Sequence, residues 1–537
     1  MLRSLLKRLN GPRRRLVFAA TFLALITGAG WIWRRFFLPP PPLEVSFWYW
    51  HQPFRLPKSE LEQLHSMGVR QIFVRAGTFQ KGEKGLRLSL PQSWSSRADG
   101  IAIHLVFNFD ASIVKAFADL PNESLAAAIL PEIAKSRAAA ERAGLTVAGV
   151  QLDLDSPTSR LPKYADMLHR IRAGLPSPTL ALSITALPTW YGSANLEPVL
   201  HEIDFAAPQY YEAKIGPTLG EYATVSQPAK TERGLKAAGW RGAPFFSGSP
   251  VYGHAIVYNA RGKLVGAFHD MGLVEAMRHP AFRLTRSFGA DEDGHPATPS
   301  TYIGEDVYDL EALVDASDGQ GKGYHVLYDV PTPISLSRLL SLLRRKRPGN
   351  CLGTILFRYP QPGEASTLPL STVAAAIRGD AMRPEIKVSL EPKAAPWELL
   401  DSGVSPDRKP MDIAVKVTNI GNANTFIAAD AVTINLALVE ATTTETTVRG
   451  ADSVDTFQHP AGAASTDPPA LRASPTRSNV IRLRRITLSA GETQTLATLR
   501  VRAGRGATIR GNWSARCPGG FESVKGDIPA VKIFPWD

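Results

Sequence analysis

Cysteine is almost missing: Cys351 and Cys517 are the only two in 537 residues. That excludes a disulfide-stapled miniprotein, and a chain this long buries a core without staples. The pair, far apart in sequence, leaves a disulfide and two buried thiols both open. A large excess of one charge is missing too, with 61 Lys+Arg against 49 Asp+Glu. The excess that exists is local. Arg3, Lys7, Arg8, Arg13, Arg14, Arg15, Arg34 and Arg35 supply +8 of the net +12, with no acid among residues 1–35. The rest of the chain has no concentrated basic run, which excludes nucleic acid as the main partner. After residue 33 no apolar run is long enough to span a bilayer, so the chain is not a polytopic membrane protein. HExxH, CxxC and GxSxG are all absent, against the familiar zinc peptidase, redox and serine-hydrolase motifs. Gly319, Gly321 and Gly323 lack a GxGxxG or Lys-Ser/Thr continuation and read as a loop.

What is present begins with an export signal. Basic residues 1–15 run into an apolar stretch from Leu16 to Trp33, followed by Arg34, Arg35 and the prolines Pro39 to Pro42. Eighteen residues at 1.5 Å each reach roughly 27 Å, enough for a bilayer core. More positive charge precedes the stretch than follows it. The expectation is therefore a single-pass anchor over 16–33 in the inner (plasma) membrane, a Pro-rich linker over 34–42, and the body on the periplasmic side. A cleaved signal peptide with Gly28 and Gly30 before the cut is the rival.

From Leu43 onward, β-rich runs alternate with helical patterns. Val45–His51, Val69–Gly77, Ile101–Asp110 and Val147–Asp155 read as strands one to four. Leu180–Leu187, Ile203–Tyr211, Pro244–Val251 and Thr354–Tyr359 read as strands five to eight. Helical stretches at Lys58–Met67, Ser124–Ala143, Pro162–Ala173, Ser335–Arg345 and Ser371–Arg378 lie between or after them. This α/β order predicts a (β/α)₈ TIM-like barrel over 43–383, with a doubly wound open sheet as runner-up. His254 to Asn350 is too long for one crossover and must hold an insertion. Beyond residue 383, Ile386–Leu390, Asp412–Thr418, Val432–Leu438 and Thr493–Val501 predict an antiparallel β-sandwich over 384–537. The polar stretch from Glu440 to Ser478 reads as a long loop.

The richest segment runs Val-Ala-Gly-Val-Gln-Leu-Asp-Leu-Asp-Ser-Pro from Val147 to Pro157. Along a strand Gly149, Gln151, Asp153 and Asp155 share one face, and Val150, Leu152 and Leu154 the other. In a barrel the polar row lines the interior and rises to the C-terminal mouth. Two carboxylates in a partly desolvated pocket permit general-acid work, one of them with a raised pKa; capping of the next helix is the bland reading. Ser183 and Thr185 share a face of strand five, and Trp190 follows it. Tyr211 and Glu212 end strand six, and Trp48, Trp50 and His51 end strand one. Aromatic faces beside carboxylates suit sugar rings. Asn108 and Asp110 at strand three, Arg75 and Arg358 at strands two and eight, and His254 after strand seven are weaker candidates, for each of which a salt bridge or cap is the commoner use.

The strand-four segment resembles the signature of chitinase-like glycoside hydrolases, a Gly-x-Asp-x-Asp-x-Glu pattern ending in the acid catalyst. Asp204-Phe-Ala-Ala-Pro-Gln-Tyr-Tyr-Glu212 is similar to their strand-six pattern, an Asp followed later by Met-x-Tyr-Asp. The resemblance places Asp153 on the last motif aspartate and Asp155 on the catalytic glutamate. It also places Gln209 on the methionine, Tyr211 on the substrate-orienting tyrosine and Glu212 on the final aspartate. The chain departs from the pattern at three places: Gln151 replaces an aspartate, Asp155 is one methylene shorter than glutamate, and Glu212 one longer. Across the barrel the chain looks most like an uncharacterised bacterial family of glycoside-hydrolase-like barrels.

The expectation is thus a membrane-anchored envelope protein whose barrel binds and hydrolyses a polysaccharide. Asp155 is the expected general acid, Asp153 tunes its charge, and Tyr211 and Glu212 position the sugar; in a classical two-carboxylate reaction Glu212 would be the partner acid. A substrate-assisted reaction would instead need an N-acetyl group beside the scissile bond. Gln151, Gln209, Tyr211, Asn108 and Arg358 are the expected polar substrate contacts, and Trp48, Trp50 and Trp190 the stacking surfaces. No cofactor and no metal are implied, and the C-terminal domain is expected to meet an envelope partner. The alternative is a catalytically inactive glycan-binding or scaffolding protein on the same barrel.

Overall fold

The computed structural model describes residues 42–82, 85–211, 215–268, 271–314, 321–361, 367–395, 409–457 and 479–533. The basic segment and apolar stretch expected over residues 1–33 lie outside them, as does all of the linker but Pro42. Among the described residues no helix is long and apolar enough to cross a membrane.

Eight parallel strands form a ring: Glu44–Tyr49, Gln71–Gly82, Ala102–Phe109, Thr146–Asp153, Ala181–Ala186, Phe205–Pro208, Phe245–Pro250 and Cys351–Phe357. Each pairs with the next, and strand eight pairs back onto strand one, with Val45 opposite Thr354 and Trp48 opposite Phe357. Closure rules out the open sheet. Strand two continues past the ring into an antiparallel hairpin with Gly85–Ser89.

The alternation along strand four sorts its side chains as the pattern requires. Val150, Leu152 and Leu154 join the outer core, packed with Leu161, Tyr164, Met167 and Leu168 of the helix Leu161–Gly174. A second cluster fills the interior, with Trp48, Phe73, Val106, Phe205, Tyr211, Phe246 and Ile355. The helix Pro228–Arg241, absent from the sequence reading, buries only Thr231, Leu235 and Ala238. So thin a stripe hides its period. A methyl at Gly234 would run into the Tyr210 ring, so glycine lets this helix sit directly on the exit of strand six.

The insertion after strand seven is a five-stranded antiparallel sheet spanning His254 to Pro331. The chain then returns through the helix Pro333–Lys346 to strand eight. The C-terminal region is antiparallel as well, but its seven strands are hydrogen-bonded in one sheet where a two-sheet sandwich was expected. Its two longest strands, Val432–Val448 and Thr493–Arg516, pair along most of their length with register breaks at Val439/Ala441 and Thr443/Glu445. Bulges bend strands, and one core (Val415, Leu436, Ile481, Leu499, Ile509) serves both ends of the sheet.

The loop expected from Glu440 is overturned as far as Phe457, since Val432–Val448 runs on through it and Ser453–Phe457 adds another strand. Thr442, Thr443, Thr444, Thr446 and Thr447 are polar but β-branched, and that shape suits a pleated surface. The remainder, 458–478, lies outside the described residues. Cys351 and Cys517 are both free thiols.

Candidate active site

Gly149 pairs directly with His104 on the neighbouring strand three. A Cβ there would lie 2.5 Å from His104 Nδ1, so only glycine fits. His104 stacks on Phe73 at 4.6 Å and is buried. Desolvation holds its pKa down at about 4, so the ring is neutral near neutral pH.

Gln151, one step up the row, is fully buried and hydrogen-bonded at both ends of its amide. Its Oε1 accepts from Trp48 Nε1 at 2.7 Å, across the interior, and its Nε2 donates to Ser183 Oγ at 3.3 Å. Asp153 ends the strand at the mouth. Its Oδ1 accepts from Thr185 Oγ1 at 2.5 Å and Gln209 Nε2 at 3.3 Å, tying together strands four, five and six.

Asp155 differs from every acid around it. Its side chain is exposed beyond the strand, and among the described residues it makes no hydrogen bond or ion pair. The surrounding wall still strips part of its hydration, which raises its carboxyl above the usual 3.8. A tight turn presents it: Ser156 N donates to Leu154 O at 2.7 Å, and Ser156 O accepts from Trp190 Nε1 at 3.0 Å.

Beneath the turn lies Tyr164, which the sequence reading counted only as an apolar helix position. Burial first, then the charges of Asp153 and Asp155, push its pKa well up, so the hydroxyl stays protonated beside both carboxyls. Among the described residues the hydroxyl has no hydrogen-bond partner. A tyrosine on a buried helical stripe gives no signal in one dimension that its hydroxyl ends under a site.

Two expected stacking surfaces are corrected. Trp48 and Trp190 are each only 1% exposed. Trp48 packs among Phe73, Tyr211 and Phe357, and its indole nitrogen is taken by Gln151. Trp190 packs edge-on to Tyr164 and holds the Ser156 carbonyl. Only Trp50 of the three is half-buried, with the Arg75 guanidinium 5.7 Å from its ring centroid and Phe357 at 5.6 Å. Tyr211 is buried and stacks on Phe357 at 5.2 Å.

Asn108 Oδ1 accepts from Thr78 Oγ1 at 2.7 Å at the end of strand three. Asp110 caps the next helix, accepting from the nitrogens of Ser112 and Ile113. Arg358 follows strand eight and lies near enough to Arg75 for its charge to be felt there. His254 is not at the mouth: it begins the insertion, and burial lowers its pKa against the pull of Asp329. Glu212 lies outside the described residues.

A family described as a domain of unknown function (DUF3142) matches residues 113–273. That stretch holds Asp153, Asp155, Trp190 and Gln209. None of the curated proteins compared is similar to the chain. Among solved structures, similarity extends to the spore cortex-lytic enzyme SleL of Bacillus megaterium QM B1551, at 12% identity over 64% of this chain and 76% of that one, with a TM-score of 0.41. A chitinase from Chromobacterium violaceum ATCC 12472 aligns at 13% over 63% and 98%, with a TM-score of 0.40. A class V chitinase from Nicotiana tobaccum aligns at 13% over 62% and 98%, with a TM-score of 0.38.

A second acidic group lies away from the mouth. Glu305, Asp306 and Asp329 of the insertion are all at most 3% exposed. Alternation places acids on a strand face but cannot show that another domain covers that face. Nor does the mouth hold the cavity of about 460 Å³, which lies on the insertion beside Tyr222, Phe288, Arg286, Asp309 and His325. Asp309 there bonds both Arg286 and His325, so the charges satisfy one another. Among the described residues no cluster of three His, Cys, Asp or Glu side chains could hold a metal ion.

Proposed function

We propose that the barrel binds a polysaccharide and hydrolyses its glycosidic bonds, with Asp155 as general acid. The observation that carries this reading is the state of Asp155: a carboxyl at the C-terminal mouth of a barrel, unpartnered among the described residues, with its proton held more firmly than usual. A salt bridge would have made it inert. In the proposed reaction Asp155 gives its proton to the glycosidic oxygen as the bond to the leaving sugar breaks. Asp153, fixed by Thr185 and Gln209, stands beside the oxocarbenium-like centre. Glu212 completes the set as the base that activates water or as the nucleophile. The motif resemblance at strands four and six supports the same assignment. The envelope location we propose rests on the composition of the first 35 residues.

The second reading, a non-catalytic glycan binder, is favoured by Gln151. An amide bonded to Trp48 and Ser183 stands where the resembled pattern has an acid, so the ladder of carboxyls is one short. Reducing-end release from a panel of envelope and N-acetylated glycans separates the two. Hydrolysis predicts release by the wild type that Asp155→Asn abolishes and Glu212→Gln reduces. Binding without release, unchanged by Asp155→Asn, would establish the binder.

A further inference from the structure

We infer that the outer sides of two neighbouring barrel helices seat the protein on an anionic lipid surface, with Trp240 in the headgroup layer; the inference rests on the envelope location proposed above. The two helices are Pro228–Arg241, which leads into strand seven, and Pro333–Lys346, which leads into strand eight. On the first, Thr231, Leu235 and Ala238 are turned inward. Arg233, Lys236 and Trp240 follow at spacings of three and four, so they share the opposite side. On the second, Arg344, Arg345 and Lys346 are exposed in the last turn.

Trp240 is the most exposed large apolar side chain among the described residues, at 90%. A tryptophan left in water on a finished helix has no part in the core. The charge around it is one-sided. Glu232 is the only acid in either helix, and it bridges them, 2.9 Å from Lys236 Nζ and 3.2 Å from Lys346 Nζ. Below that bridge the segments touch again, since a Cβ at Gly239 would lie 2.8 Å from Pro348 Cβ. Elsewhere along the base arginines meet acids, Arg172 with Asp204 at 2.9 Å and Arg378 with Asp380 at 2.7 Å. A ring that is apolar in body and polar at its N–H, set among Lys and Arg, suits the boundary of an anionic bilayer.

The entry point of the chain commits the patch to a membrane. Strand eight lies between strands seven and one, with Cys351 opposite Phe245 and Gly353 opposite Glu44. The chain therefore enters strand one two strand spacings, about 10 Å, from the start of strand seven, just past Trp240. Leu352, between them on strand eight, is 42% exposed. Residues 35–43 reach at most roughly 30 Å even when fully extended. An anchor over 16–33 thus holds this side of the base against the bilayer. The mouth, with Asp153 and Asp155, is then turned away from the membrane. It meets polymer standing off the bilayer rather than glycan linked to lipid within it.

Full-length chain is reconstituted in phosphatidylcholine vesicles with and without phosphatidylglycerol, and quenching of tryptophan emission by brominated lipid is read. The difference between wild type and Trp240→Phe isolates the one ring. Trp240 emission should be quenched in the anionic vesicles and far less in the neutral ones. Arg233→Glu and Arg345→Glu should each shift the balance from seated to unseated chain about fivefold or more. Added salt should act in the same direction. Unquenched Trp240 emission in anionic vesicles, or quenching indifferent to lipid charge and to both reversals, would overturn the inference. Carbonate-resistant flotation of the same chain would leave the anchor standing in that case, and failure to float would overturn both. Shielding of Trp240 from acrylamide without any lipid quenching would assign the patch to a protein partner and overturn the inference. Trp240→Phe should melt where wild type does; a clear drop would mark the ring as structural and overturn it as well.

Discussion

Two groups of carboxyls in this molecule are perturbed by the same force and put to different uses. Desolvation is the first cause of the raised pKa at Asp155 in the barrel mouth, and equally at Glu305, Asp306 and Asp329 in the insertion. The insertion acids are sealed. Asp306 accepts from Tyr302 Oη at 2.8 Å and from the backbone of Gly519 at 3.0 Å, and so fastens the C-terminal sheet to the insertion. Asp329 accepts from Tyr222 Oη at 2.5 Å and Val225 N at 2.8 Å, fastening the loop after strand six. Asp155 fastens nothing among the described residues. A perturbed carboxyl thus marks a chemical site only where solvent and substrate can reach it and no neighbour has claimed it.

The sharpest way to break this contrast is to neutralise one acid from each group. Asp155→Asn should cut glycan release by a hundredfold or more, the scale of lost general-acid catalysis, and leave the melting temperature where it was. Asp306→Ala should do the reverse. It strands the Gly519 amide and the Tyr302 hydroxyl, which costs roughly 2–4 kcal/mol in denaturant unfolding, while folded protein keeps its activity. A loss of fold in the first variant, or of specific activity in the second, would erase the distinction.

Dependence on pH sharpens it further. Burial lifts Asp306 from the usual 3.8 to about 7. Between those values the folded chain keeps a proton that the unfolded chain has released. The stability this lends is whole below about pH 4 and is lost as pH rises through about 7. The melting temperature should accordingly fall from pH 5 to pH 8, and Asp306→Asn should flatten the slope. Asp155 bears on rate instead: release should decline as pH climbs through its raised pKa, and the decline should begin above the usual carboxylate range.

The smallest effect is expected at Trp190. Replacement by Phe keeps the packing on Tyr164 but frees the Ser156 carbonyl, which costs about 1 kcal/mol. The turn that presents Asp155 should loosen, lowering kcat severalfold with KM unchanged. A change in KM alone would mean that Trp190 meets the sugar after all.

Much of the barrel was legible because each strand is buried on both faces, and continuous apolar runs bounded by turns are hard to mistake. The inward row Gly149, Gln151, Asp153 followed from the two-residue period alone. The fate of the aromatics did not. Trp48 and Trp190 stand at strand ends where a platform would stand, and nothing in one dimension tells a ring facing the mouth from one turned into the core. The sealed acids were hidden for a similar reason: Asp306 is buried by Gly519, 213 residues away. The threonine run after Ala441 misled by polarity where shape decided. Arg75 and Arg358 were visible as candidates, but the placement of Arg75 over the Trp50 ring needed the closed ring.

Asp155 holds its proton more tightly than a free aspartate while remaining open to solvent. Titration of carboxyl-¹³C-labelled aspartates by NMR, with Asp155→Asn to identify the resonance, measures this directly. A midpoint above 3.8 and a signal that shifts when glycan binds are expected. A midpoint at or below 3.8 would contradict this and leave the mouth without its acid.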